Sequence, residues 1–154
     1  MLKYVFLALL SVVYAQEKVN LGLYHESLWP GCLQYIEGAL KEAWACSDWT
    51  QMVNISIYPY GNANERQEAN GTWAFTCQHG EDECKGNLVE TCFINLVSFD
   101  QDKYMDFVIT YEADLDKNSR DPYGTAQTLL QLNTPFLPQN IYSLYFSTLC
   151  ARIK

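Results

Sequence analysis

The sequence predicts an α/β fold built around a parallel strand–helix–strand unit. Apolar and polar residues alternate through residues 52–60, where Ile55 and Ile57 share one face, as in a half-buried strand. Residues 33–44 carry apolar side chains at helical spacing, and residues 19–24 have the pattern of an earlier strand. Elements in this order favour a parallel pair of strands joined by a right-handed crossover.

Local residues justify each element in turn. Leu21 and Leu23 lie on one face of the first strand. Pro30 suits the first position of the helix, where its missing N–H costs nothing. Gly61 lies in the turn that ends the second strand. The further predictions are a loop at 62–70, an irregular segment at 71–86, helices at 88–99, 102–112, 125–132 and 138–149, and a charged turn at 114–121.

Residues 1–15 have the features of a secretory signal peptide. Lys3 supplies the positive charge, an apolar run follows, and Ala15 offers a small residue at the cleavage site. The run is shorter than the roughly 20 residues that a spanning helix needs, so no stable membrane anchor is expected. Residues 16–154 then form a single domain, and its destination is the extracellular space or the lysosome.

The charge balance narrows the classes of partner. The 154 residues include 18 acidic and 10 basic ones, for a net charge of −8. Because nucleic-acid binding depends on clustered Lys and Arg, no nucleic acid is expected as a partner. Two sequons, at Asn54 and Asn70, fit a glycoprotein of the secretory pathway. The acidic residues Glu81, Asp82 and Glu83 are expected to form a solvated loop.

Six cysteines in a secreted chain predict a disulfide framework. Three of them fall in residues 77–92 beside His79, but their spacings of seven and eight residues differ from those of paired zinc ligands. Structural disulfides are therefore favoured, and neither a metal nor a cofactor is expected. The structural candidates, whose pairing stays open, are Cys46, Cys77, Cys84, Cys92 and Cys150.

The same run, CQHGEDECKGNLVETC, fills every specified position of the pattern CQHGxxECxxNxxxxC. The chain thereby resembles the gamma-interferon-inducible lysosomal thiol reductase family, over roughly residues 19–100. The resemblance implies a thioredoxin-like domain with a helical insertion. It also implies a glycoprotein of lysosomes or the extracellular space that reduces disulfides in protein substrates. The neighbouring segments that share the likeness are 24–28, 53–56, 59–63 and 73–75.

In this family the reacting pair is C-x-x-C, or sometimes C-x-x-S, at the start of a helix. The first thiolate attacks the substrate disulfide, and the second thiol resolves the mixed disulfide that forms. The matching tetrapeptide here is Trp29-Pro30-Gly31-Cys32. Trp29 occupies the position of the attacking cysteine, and Cys32 occupies that of the resolving cysteine. Thiol–disulfide oxidoreductase activity by the ordinary two-thiol cycle is therefore in question.

Each residue near this tetrapeptide has two interpretations. Cys32 is either a lone redox thiol or a buried or disulfide-bonded cysteine. Trp29 either anchors a partner protein or packs over the gap beside the active-site turn. His79 either acts as a base for Cys32 or orders its own loop, and His25 either tunes a thiolate or is merely hydrogen-bonded.

The resemblance also implies strands beyond the helical insertion, which the chain is expected to lack. Two functions follow. The first is a secreted or lysosomal glycoprotein that resembles thiol reductases, with catalysis impaired or lost because of Trp29. The alternative is a non-catalytic secreted binding protein on the same fold. The expected partner is a protein in both cases, either as substrate or as ligand.

Overall fold

The computed structural model describes residues 17–119 and 121–132. The first part of this described chain, up to residue 76, contains both strands and helices, and the rest contains helices without strands. The strands are β1 (Val19–His25), β2 (Val53–Pro59), β3 (Asn64–Gln67) and β4 (Trp73–Thr76). The α-helices are α1 (Pro30–Tyr35), α2 (Lys41–Trp44), α3 (Ser47–Met52), α4 (Glu81–Leu96), α5 (Gln101–Asp114) and α6 (Pro122–Leu132).

The predicted parallel unit is confirmed. β1 and β2 pair in parallel, with Leu21 opposite Ile55 and Leu23 opposite Ile57. The alternation in β2 places Ile55 and Ile57 in the core and leaves the intervening polar residues exposed. Pro30 takes the first helical position, as expected. A π-helical turn at Ile36–Leu40 joins α1 to α2, so the crossover is one helical path with a local widening.

Two predictions for the following segments were wrong. The expected loop at 62–70 contains β3, and the expected irregular segment at 71–86 contains β4 and the start of α4. β3 and β4 form an antiparallel hairpin in which Asn64 faces Thr76. Its residues are mostly exposed, so no buried face exists to produce the apolar alternation that reveals a strand.

The remaining helices were largely anticipated. The helix expected at 88–99 begins earlier, at Glu81, and ends at Leu96. The helix expected at 102–112 becomes α5, and the one at 125–132 becomes α6 with an earlier start. The charged turn at 114–121 contains a π-helical segment, Leu115–Ser119. The short helix α3 was not predicted.

The core lies where α4, α5 and α6 pack beside the β1–β2 sheet. Val89, Met105 and Val108 are fully buried, and each such apolar side chain contributes about 1.5–3 kcal/mol by leaving water. The rings of Phe93 and Phe107 stack with centroids 3.8 Å apart and fix α4 against α5. This packing places α4 behind the C-terminal end of β1.

Among the helices of the two described ranges, none has the length and apolar content needed to cross a lipid bilayer. The predicted signal peptide at 1–15, the predicted helix at 138–149 and Cys150 all lie outside these ranges. In the same described part, the sheets contain two strands each.

Candidate active site and the cysteine-rich signature

The tetrapeptide at 29–32 begins α1, directly after a tight turn at Ser27 and Leu28 that leads out of β1. Leu28 adopts a left-handed backbone conformation with φ +64°, and Trp29 is the extended residue that caps α1. The Trp29 ring lies over Gly31, where an added Cβ would be 3.2 Å from the indole. Yet 44% of Trp29 remains exposed. The side chain thus both packs on its own turn and offers an aromatic surface to solvent.

Cys32 lies one turn along, buried and with a free thiol. The backbone N–H of Glu26 donates to its Sγ at 3.5 Å. Burial raises the pKa of the Cys32 thiol because the thiolate would lose its hydration, and this outweighs the opposing effect of the backbone hydrogen bond. The free thiol excludes the disulfide-bonded alternative, and its burial limits access for any substrate disulfide.

A polar cluster backs this turn, and it comprises His25, Ser27, Asn87, Glu90 and Glu112. All five residues are buried. The Ser27 hydroxyl donates to Glu112 Oε1 at 2.6 Å, and the Ser27 N–H donates to Asn87 Oδ1 at 2.8 Å. The Leu28 N–H donates to the other Glu112 oxygen at 3.3 Å. Helices α4 and α5 therefore hold the backbone of the turn through side-chain acceptors.

Burial raises the pKa values of the two carboxyl groups in this polar cluster. The pKa of Glu90 is raised by this burial to about 8, and that of Glu112 well above its usual range. His25 Nε2 lies 2.7 Å from Glu90 Oε2, and burial lowers the pKa of His25. Burial therefore favours the neutral form of both carboxyl groups and of the imidazole behind the turn.

The cysteine-rich signature fastens α4 to the same turn. Cys77 and Cys84 form a disulfide with a Cα–Cα distance of 5.6 Å, which closes the loop before α4. Gly80 caps the helix with φ +99°, a conformation that favours glycine. Gly86 faces Ser27 so closely that an added Cβ would be 2.2 Å from its hydroxyl. The signature segment thus brings the second turn of α4, at Gly86, against Ser27.

Glu26 ties a third segment to this contact. Its Oε1 accepts a hydrogen bond from the Asn62 N–H at 2.5 Å, and its Cγ would lie 2.1 Å from a Cβ added at Gly61. Its Oε2 lies 3.7 Å from His79 Nδ1. His79 Nδ1 also lies 2.5 Å from Glu83 Oε2, and the His79 N–H donates to the same oxygen at 2.8 Å. These contacts match the loop-ordering interpretation of His79.

Comparison with known proteins identifies the family. The sequence model described as gamma interferon inducible lysosomal thiol reductase (GILT) matches residues 20–128. The chain belongs to the GILT family. The thiol reductase of Carassius auratus is 43% identical over 76 residues, which cover 49% of this chain and 29% of that protein. The one from Mus musculus is 44% identical over 77 residues, covering 50% and 30%.

A plant relative extends the match. The gamma-interferon-responsive lysosomal thiol protein of Arabidopsis thaliana is 37% identical over 97 residues, which cover 63% of this chain and 39% of that protein. The chain thus spans between about a quarter and two fifths of the length of the curated relatives that it matches. The matched part in each case is a minority of the relative.

The cysteines of this GILT-family chain divide into distinct groups. Cys77 and Cys84 pair with each other, and Cys92, which is buried on α4, is also disulfide-bonded. Cys46 was a structural disulfide candidate, but it lies at the start of α3 with a free, exposed thiol. Within the described ranges, Cys32 and Cys46 are the cysteines with free thiols.

Sequence reasoning missed the acidic residues of the site. Glu83 was expected in a solvated loop. It is instead fully buried on the first turn of α4, where its carboxylate contacts the imidazole of His79. Glu83, Asn87 and Glu90 lie at i, i+4 and i+7, so they share one helix face that could have been noticed. Glu112 had a similar signal, a lone carboxyl on the apolar face of α5.

Proposed function

We propose that this GILT-family chain is a secreted or lysosomal glycoprotein whose disulfide-reducing activity is impaired or lost. The main support for this proposal is Trp29, which lies at the N-terminus of α1, where the family places its attacking cysteine. An indole cannot form a mixed disulfide with a substrate. The relatives are named as thiol reductases, so the inherited reaction is the reduction of disulfides in protein substrates.

The surroundings of Cys32 support the same proposal. The thiolate is the nucleophile in disulfide exchange, and burial of Cys32 both shields it and raises its pKa. A lone thiol that did react would leave a mixed disulfide with no neighbouring thiol to resolve it. The residues on the first turn of α1 therefore lack the two-step chemistry that turnover requires.

A second candidate function is protein binding without catalysis. The exposed indole of Trp29 is the side-chain type that most often anchors protein interfaces. A groove of about 720 Å³ lies beside the Cys77–Cys84 disulfide, and exposed aromatic side chains of Trp73, Phe75 and Tyr123 line part of it. Aromatic side chains are enriched in protein–protein interfaces, so this surface favours a protein as the ligand.

Reduction of insulin disulfides by the purified mature chain, at pH of about 5 and 7, tests the proposal. We expect turnover close to the rate of the uncatalysed reaction. Trp29→Cys is expected to raise it, because the new thiol would sit at an exposed helix start three residues from Cys32. Trp29→Ser is the matched control, since it removes the indole without adding a thiol.

Two outcomes would contradict the proposal. Turnover by the natural chain that Cys32→Ser abolishes would show that one thiol suffices. Equal activity in the Trp29→Cys and Trp29→Ser variants, above that of the natural chain, would show that the indole blocks a reaction that needs no thiol at position 29. Pull-down of a protein ligand by the natural chain but not by the Trp29→Ser variant would instead favour the binding function.

A further inference from the structure

Two buried carboxylates converge on one imidazole at the junction of β1, the loop after β2 and the start of α4. Glu26, His79 and Glu83 each offer one ligand atom, and these atoms lie within 4.8 Å of one another. We propose that these three residues form a binding site for a divalent transition-metal ion, with Zn²⁺ as the best match. This inference does not depend on the thiol chemistry of the chain.

The first argument is that both carboxylates have an unsatisfied oxygen. Glu26 is 1% exposed and Glu83 is 0% exposed, so neither has ready access to bulk water. Glu26 Oε2 and Glu83 Oε1 are buried without a hydrogen-bond partner. A buried carboxylate left without a partner destabilises the fold, so these oxygens require a cation or a proton.

The second argument is that no basic side chain fills this role among the described residues. Within ion-pair distance of the two carboxylates, the described contacts are those of His79. Lys85 is the cation of this helical turn, but its ammonium contacts Glu81 at 3.2 Å and Asp82 at 3.0 Å on the solvent side. Two buried acids therefore share one imidazole, and the local charge balance favours a further positive ion.

The donor set selects the type of ion. One imidazole nitrogen and two carboxylate oxygens suit Zn²⁺, whereas Ca²⁺ and Mg²⁺ prefer sites made of oxygen alone. Zn²⁺ lies about 2.0–2.2 Å from such ligands, in a tetrahedral arrangement. His79 is 39% exposed, so its ring has room to withdraw from Glu83 and water has access to a fourth position.

The surroundings hold two of the ligands in place before an ion arrives. The Asn62 N–H binds the Glu26 oxygen that does not face His79, and the His79 N–H binds Glu83 Oε2. Such contacts orient ligating carboxylates in metal sites. The absence of a metal was predicted from the cysteine spacing, but Glu26 is distant in sequence and reaches the signature only through the fold.

Calorimetric titration of the mature chain with Zn²⁺ alone, at pH of about 7, tests the proposal. The Cys46→Ser variant is the starting protein, because an exposed thiol also binds zinc. We expect one ion to bind each chain, and His79→Ala and Glu26→Gln each to weaken binding by about tenfold or more. The exposed Glu81→Gln, in the same turn of α4 as Glu83, is the matched control and is expected to leave binding unchanged.

Thermal unfolding supplies a second measurement. Zn²⁺ is expected to raise the melting temperature of the Cys46→Ser starting protein, which is the parent chain here, and of its Glu81→Gln derivative, because an ion that binds the folded state stabilises that state. The melting temperature of the His79→Ala derivative should not rise. His79 is partly exposed, so its alanine variant should fold without the ion. Absence of saturable binding to the parent chain, or equal affinity in His79→Ala, would overturn the proposal.

Discussion

The close contact between α4 and the turn after β1 leads to a sharp prediction at Gly86. A Cβ at this position would lie 2.2 Å from Ser27 Oγ and 2.6 Å from Ser27 Cβ. Ser27 is fully buried, and its hydroxyl is held by Glu112, so it has no open space into which to move. Gly86→Ala is therefore expected to push α4 away from the turn and to destabilise the protein.

The size of the effect follows from three contributions. Overpacking of a filled site costs about 1–3 kcal/mol. Loss of the 2.6 Å hydrogen bond from Ser27 to Glu112 adds about 0.5–1.5 kcal/mol. Replacing glycine by alanine inside a helix returns about 1 kcal/mol. The free energy of unfolding should therefore fall by about 2 kcal/mol.

Gly38→Ala is the matched control, because Gly38 is also helical but a Cβ there would meet nothing within 4 Å. That variant should become more stable, by about 0.5–1 kcal/mol. Urea unfolding followed by circular dichroism, with the disulfides intact, measures both changes. If Gly86→Ala is at least as stable as the parent chain while Gly38→Ala is stabilised, α4 does not press on the turn and the reasoning fails.

Three further predictions concern pH, thiol reactivity and glycosylation. Glu90 has its pKa raised from 4.5 to about 8, so the stability that it contributes is complete below pH 4.5 and is lost as the pH rises through 8. Thermal unfolding between these values should show a decline that Glu90→Gln reduces, and an unchanged decline would contradict a protonated Glu90. A maleimide should label the native chain quickly at the exposed Cys46 and slowly at the buried Cys32. Mass spectrometry should therefore find that the Cys46→Ser variant loses the fast label. Persistence of the fast label in that variant would show that Cys32 is accessible. In a secreting host, Asn54→Gln and Asn70→Gln should each remove one glycan by mass, and unchanged masses would argue against passage through the secretory pathway.

The elements that local sequence encodes strongly were the ones predicted correctly. The parallel β1–β2 pair follows from alternation around Ile55 and Ile57 and from Pro30 at the helix start, which act within a few residues. The start of α4 was placed too late, because its first two turns are polar and contain Cys84 and Gly86, which are typical of loops. Glu83 lies in that misread turn, so its burial was missed with it.

Candidate site residues divide in the same way. The positions of Trp29 and Cys32 could be assigned through the resemblance to the family, because the matching tetrapeptide is contiguous in sequence. The free thiol of Cys46 could not, since the pairing of cysteines depends on which side chains the fold brings within reach. The interpretation of Trp29 and Cys32 as an impaired redox site stays a prediction, which the disulfide-reduction assay tests.

The sequence by itself determined the α/β character and the GILT-family signature, and it predicted Trp29 at the position of the family's attacking cysteine. Only the tertiary structure decided that His25, Glu90 and Glu112 lie together behind the turn, and that Glu26 meets His79 and Glu83. Charged residues are solvent-exposed by default, so their pattern along the chain does not announce burial. Their protonation and any capacity to bind metal depend on distances and solvent exclusion, which arise only when segments far apart in the chain pack together.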